Sequence, residues 1–213
     1  MPIPTDFSYP RYLAAKKSVD DRALNRQVLE ALAQTLRPQQ ESGPLTFLEV
    51  GCGIGTMIER LWDWGILTNA DYTAVDLLPE NIAEAKTRLP AFARGRNAQV
   101  AETAAGQLLL SSPHRSFKVT LESIDVFDFA DRETGRSAWD VLVAHAFLDL
   151  VDLESTVCRL FGLLKPGGWF YFTLNFDGAT LFVPTLDLNL DALIENFYHD
   201  TMDNRLIDGK PSG

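Results

Sequence analysis

The stretch TFLEVGCGIGTMIERL, residues 46–61, sets Gly51, Gly53 and Gly55 at alternate positions between an apolar run and a helical pattern. Glycine tolerates positive φ and lets a ligand approach the backbone, so the spacing suits a nucleotide-like ligand; it also suits a plain strand-to-helix turn. The pattern departs from the G-x-G-x-x-G of dinucleotide sites, and the Gly-Lys-Ser/Thr ending of a phosphate loop is absent. Glu49, two residues before the first glycine, would repel a pyrophosphate and attract a ligand carrying sulfonium and ammonium charge. Asp76 closes the run DYTAVD, where a carboxylate can accept hydrogen bonds from both hydroxyls of a ribose. Together these residues favour a cationic nucleoside and disfavour an NAD(P)-dependent oxidoreductase.

Such residues need a frame. LTFLEV (45–50) and DYTAVD (71–76) predict strands, with a helix between them from about residue 56 to 64, which makes one β-α-β unit. PENIAEAKTRL starts with a proline suited to a first helical turn. FKVTLESIDVF and WDVLVAHAF predict strands 3 and 4, DLESTVCRLFGLL a helix ended by KPGG, and GWFYFTLNF strand 5. Strands alternating with helices imply a mostly parallel sheet covered on both faces. Upstream, SVDDRALNRQVLEALAQTL places Leu24, Val28, Leu32 and Leu36 on one face of a helix, with Ser18 as its N-cap and its end before Pro38. Residues 95–116 are too long for a connecting loop and read as an inserted hairpin turning at Ala105-Gly106, or as a second amphipathic helix. Leu190, Ile194, Phe197 and Met202 predict a helix over about 188–202.

The net charge of −10 and pI near 4.7 argue against nucleic acid as a partner, since phosphate contacts need clustered Lys and Arg. A small-molecule substrate fits better. The two cysteines, Cys52 in the glycine loop and Cys158, draw neither a disulfide framework nor a metal-ligand spacing, which points to the reducing cytoplasm and to no metal. Neither a signal-peptide pattern nor an apolar run long enough to span a membrane is present, so no membrane partner is expected. Oligomeric state is left open.

In its ordered segments the sequence resembles the class I S-adenosylmethionine-dependent methyltransferases. LEVGCGIG looks like their first motif, YTAVDLLPENIAEAKTRL their second, VTLESIDVFDF their third, WDVLVAHAFLDLVD their fourth, and LLKPGGWFYFT the lead into their fifth strand. The resemblance implies an α/β fold, a Rossmann-like sheet with helices on both faces. It implies a single methyltransferase domain over 1–213: an N-terminal helical lid (1–38), a cofactor core (45–175) holding the insertion, and a substrate-side segment (176–213). It implies methyl transfer from S-adenosylmethionine to a small-molecule acceptor, with S-adenosylhomocysteine as product; a non-catalytic cofactor-binding or scaffold protein of the same fold is the alternative.

By position, Gly51, Cys52 and Gly53 would admit the methionine and ribose portions, Glu49 would order that loop, and Asp76 would hold the ribose. Leu77 would cover the adenine, and Asp125 with the Val126 amide would read its edge, although Asp125 also suits a helix cap. Ala144, His145 and Ala146 would lie beside the methionine arm. His145 is the candidate general base, with a structural or cofactor-backbone role equally open. Asp149 and Asp152 suit early-helix charges. Tyr12, Lys17 and Arg22 are lid candidates, and Tyr198 and His199 could face substrate or solvent. The resembling fold closes its sheet with a hairpin of strands 6 and 7, for which little sequence follows strand 5. The expectation is therefore an incomplete hairpin, and either a native chain that continues past Gly213 or a partner on the strand 5 edge.

Overall fold

The computed structural model describes residues 7–174, 179–204, 206–207 and 210–211. Two helices lead in. The first, α1 (Tyr9–Ala23), is N-capped by Ser8, and the second, α2 (Arg26–Ser42), by Asn25, whose side chain accepts from the Gln27 and Val28 amides. The single helix expected from Ser18 is thus two, broken where Leu24 turns extended. The second helix also runs through Pro38. Its last turn is tethered by buried Gln40, which donates to the Ile66 carbonyl and accepts from the Thr68 and Asn69 amides.

The chain then alternates: β1 (Leu45–Val50), α3 (Thr56–Asp63), β2 (Asn69–Asp76), α4 (Pro79–Arg94), β3 (Gln99–Glu102), β4 (Leu108–Ser112) and β5 (Arg115–Ser123). After these come α5 (Val126–Glu133), β6 (Trp139–His145), α6 (Leu153–Phe161), β7 (Leu164–Thr173) and α7 (Leu188–Asp203). The sheet order is β3-β4-β5-β2-β1-β6-β7, with β5, β2, β1, β6 and β7 parallel and β3 and β4 antiparallel. Side chains alternate across β1. Phe47 enters a core with Leu36, Met57, Leu61 and Tyr72, while Leu48 and Val50 enter the opposite core with Phe129, Leu142 and Leu160. Burying a Leu or Phe side chain contributes roughly 1.5–3 kcal/mol, so two apolar layers fix the strands in register.

The insertion is a hairpin, with Gly106 at φ 76° in its turn, and it extends the sheet beyond β5. The expectation of an incomplete terminal hairpin is corrected in two respects. The sheet reaches seven strands because β3 and β4 complete it, and a short antiparallel hairpin, β8 (Leu206–Ile207) with β9 (Lys210–Pro211), follows α7 as a separate sheet. Among the described residues, β7 is an edge strand.

Candidate functional site

Strand order reverses between β2-β1 and β6-β7, and at such a switch point the carboxyl ends of parallel strands leave a crevice. A cavity of about 510 Å³ opens there. The glycine loop forms its floor. Gly51 has φ 65°, and a Cβ on it would lie 2.5 Å from the Phe147 ring; Gly53 has φ 53°, and a Cβ there would lie 2.9 Å from Leu13 of α1. Both positions have left-handed backbone that favours glycine; at Gly51 the Phe147 ring also leaves no room for a side chain, and at Gly53 Leu13 would have to move.

Acidic residues set the loop. The Gly53 amide donates to Asp76 Oδ2 at 2.8 Å, and Asp76 Oδ1 accepts from the Leu78 amide and Asn81 Nδ2, each at 2.9 Å. Asp76 is thereby an organiser of the loop as well as a lining residue, with part of its acceptor capacity already used. Glu49 is 1% exposed and accepts from the Tyr72 hydroxyl at 2.9 Å. Burial pushes its carboxyl up to about 8, against the pull of the Tyr72 hydrogen bond and the Arg60 charge. Cys52 lines the same floor, and burial pushes its thiol up as well.

The helix α1 supplies a wall through Tyr9, Tyr12, Leu13, Lys16 and Asp20. It is seated by Arg60, whose side chain is wholly buried. Arg60 Nε donates to Asp21 Oδ1 at 2.6 Å, and its other nitrogens reach Thr56 Oγ1, the Lys17 carbonyl and, at 3.6 Å, Asp20. Burial works against the Asp21 carboxylate, but the hydrogen bonds from Arg60 and Lys17 overcome it and hold its carboxyl below the ordinary value. A buried guanidinium is tolerable only when paired, so α3 and α1 are obliged to stay together.

His145 ends β6. Its Nδ1 lies 2.5 Å from Thr173 Oγ1, which also accepts from the Ala146 amide, and its buried Nε2 has no hydrogen-bond partner, with Asp20 Oδ2 at 3.6 Å. Burial first, and then the Arg60 charge, depress the imidazolium well below its ordinary pKa despite Asp20, so the ring is neutral at neutral pH.

Of the residues singled out in the sequence, Glu49, Gly51, Cys52 and Gly53 meet in this cavity with Asp76 and Leu77. Asp125, Val126, His145 and Ala146 line it too. Ala144 is fully buried with Val50 and Val75 in the sheet, behind the cavity's lining residues. Asp125 caps α5 through the Phe127 and Asp128 amides while bordering the cavity. Asp149 lines the cavity, and Asp152 precedes α6 and accepts from Ser155. Among the lid candidates only Tyr12 lines the cavity, since Lys17 pairs with Asp21 and Arg22 is exposed. Tyr198 and His199 do not border this cavity, and His199 Nε2 accepts from the Thr180 amide. Missing from the sequence reading are Arg60, Lys16 and Asp20. Arg60 falls three residues after Met57 and one before Leu61, on the apolar face of its helix, which is a legible sign of a buried charge in need of a partner.

A family model described as a methyltransferase domain matches residues 48–170. No curated protein matches the sequence. Among solved structures, the plantazolicin methyltransferase BpumL in complex with SAH is 17% identical with a TM-score of 0.45, over 76% of this chain and 51% of that one. An S-adenosylmethionine-dependent methyltransferase from Clostridium acetobutylicum ATCC 824 is 16% identical with a TM-score of 0.48, over 78% and 57%. One from Thiobacillus denitrificans in complex with S-adenosyl-L-homocysteine is 17% identical with a TM-score of 0.43, over 81% and 56%. The chain spans little more than half the length of these structures.

Proposed function

The chain belongs to the methyltransferase domain family, and on that premise we propose that it transfers the methyl group of S-adenosylmethionine to a small-molecule acceptor. The observation that carries this reading is the glycine floor at the switch point, flanked by the buried Glu49 and by Asp76. That cradle suits a cationic nucleoside. Gly51 and Gly53 leave the backbone bare, Glu49 gains a counter-charge that lets it ionise, and Asp76 has lone pairs left for ribose hydroxyls. Leu77, 62% exposed, offers an apolar face to the adenine, and the Asp125–Val126 turn lies at its edge.

When bound, S-adenosylmethionine supplies a methyl group already activated for in-line displacement. The protein's part is to place the acceptor and exclude water, for which α1 with Tyr9 and Tyr12 serves as the cover. Neutral His145, held by Thr173, orients the acceptor. Calorimetry with S-adenosylhomocysteine tests the cofactor assignment: wild type binds, and Gly53→Val, which would press on Leu13 and fill the cradle, does not. Wild-type affinity in that variant would remove the assignment. Mass-spectrometric detection of S-adenosylhomocysteine formed from S-adenosylmethionine with an acceptor pool separates an enzyme from a protein that only binds.

A further inference from the structure

A second cavity of about 250 Å³ lies between the α1–α2 corner and the end of β7, and it shares two residues with the cofactor cavity, Asp20 and His145. We propose that this smaller cavity is the acceptor pocket, and that it takes a compact single-ring molecule presenting a weakly basic nitrogen to the wall formed by Asp20 and His145. The proposal rests on the methyl-transfer reading and specifies its substrate class.

In-line transfer requires the nucleophile to enter the cofactor cavity from a neighbouring space, and the wall of Asp20 and His145 is where these two spaces meet. The pocket body is lined by Leu24, Val28, Tyr171 and Leu174 together with the polar Asn25 and Thr173, and its volume suits one ring. Polar groups converge at the shared wall. His145 Nε2 lies buried within that wall and makes no hydrogen bond of its own. Asp20 stands 3.6 Å from it, fixed by Lys16 at 2.7 Å and by Arg60.

The reacting atom follows from these groups. A nitrogen nucleophile gains positive charge as its lone pair bonds to the methyl carbon, and the Asp20 carboxylate faces that charge. The carbon–sulfur bond breaks, its electron pair stays on sulfur, and the sulfonium becomes a neutral thioether. The methylated nitrogen then sheds its proton to solvent. A hydroxyl would need a base during transfer, and burial makes His145 a poor one. Aryl amines and the neutral form of azoles present an unprotonated nitrogen and need none.

The test uses the whole chain loaded with S-adenosylhomocysteine. Nitrogen-15 NMR titrations with imidazole and with aniline are expected to shift the amides of Ala23–Val28 and Leu174, and titrations with phenol and benzyl alcohol to shift them less. Val28→Trp fills the pocket from an exposed position outside the cofactor cavity. It is expected to keep the S-adenosylhomocysteine affinity within about twofold and to weaken imidazole and aniline binding by at least about tenfold. With S-adenosylmethionine, mass spectrometry is expected to find N-methylated product in a pool of single-ring azoles and aryl amines, and less with the variant. Shifts confined to the cofactor cavity, equal ligand binding by Val28→Trp, or product only from hydroxyl compounds or larger acceptors would overturn the pocket. A wild-type chain that fails to bind S-adenosylhomocysteine would instead overturn the methyl-transfer reading, and this proposal with it.

Discussion

The cofactor end of the sheet and its β7 end are held by different means. Around β1 and β2 the charges are buried and answered. Arg60 is paired with Asp21, Glu59 takes two hydrogen bonds from Arg88, Glu49 is bonded to Tyr72, and Asp76 is bonded to the glycine loop. Around β7 and α7 the side chains are large, apolar and exposed: Trp169 and Phe170 on the strand, and Leu190, Leu193, Ile194 and Phe197 along one stripe of the helix. Buried polar networks tolerate little change, because removing one member strands the others, whereas exposed apolar positions exchange at small cost. A fold divided this way can keep one cofactor while the proposed acceptor wall, drawn partly from β7, varies.

The sharpest test of that contrast removes the charge that seats α1. Arg60→Met leaves Asp20 and Asp21 without their buried partner, and the expected loss is about 3–5 kcal/mol in urea unfolding. Faster amide exchange over residues 9–23 should accompany it. Arg132, half-exposed in its pairing with Glu122, is the control, and Arg132→Met should cost no more than about 1 kcal/mol. Equal losses would erase the distinction.

Glu49 gives the next largest effect, with a sign fixed by linkage. Its carboxyl titrates at about 8 in the folded chain against an ordinary value of 4.5. Between these values the folded state holds a proton that the unfolded state has released, so stability falls as pH rises from about 4.5 to about 8 and levels off above. The swing should be on the order of 2–4 kcal/mol, and Glu49→Gln should remove it. Because a cationic cofactor favours the ionised form, S-adenosylmethionine affinity should rise with pH over the same window in wild type and stay flat in the variant. A flat wild-type profile would show Glu49 already ionised.

Asp76→Ala removes the acceptor of the Gly53 and Leu78 amides along with the proposed ribose contact. The expected cost in S-adenosylhomocysteine binding by calorimetry is about 1.5–3 kcal/mol. An unchanged affinity would assign Asp76 to the loop alone.

The same contrast explains what could be read in the sequence. The cofactor floor lies within one β-α-β unit, where strand alternation, glycine spacing and a terminal carboxylate fall within about thirty residues and obey local rules. The insertion hairpin was legible for the same reason, through its Ala-Gly turn. The wall at Asp20 and His145 was not, because it joins the α1–α2 corner to the ends of β6 and β7, and no local pattern encodes that meeting. Caps misled where several polar residues compete: Ser18 had the spacing of an N-cap, yet Ser8 and Asn25 fill that role. Pro38 failed as a stop because tertiary bonds from Gln40 outweigh one lost helical bond. Asp125 satisfies both of its readings, since a capping carboxylate at a strand end also borders the crevice.

The smallest effect belongs to Phe170. It is 56% exposed, and its ring lies 5.2 Å from Phe161 and 5.0 Å from Phe172 in tilted contacts at the outer strand. Such contacts add about 0.5–1.5 kcal/mol beyond burial when rings are well packed, and less here, where water reaches more than half of the side chain. Phe170→Ser also gives up some strand preference and removes apolar surface from an uncovered edge. The expected outcome is a stability loss no greater than about 1 kcal/mol, an S-adenosylhomocysteine affinity within about twofold of wild type, and less aggregation by light scattering. A loss approaching that of Arg60→Met would mean that the β7 end is packed as tightly as the cofactor end, and the division between a fixed half and a permissive half would fail at the place where it is most exposed.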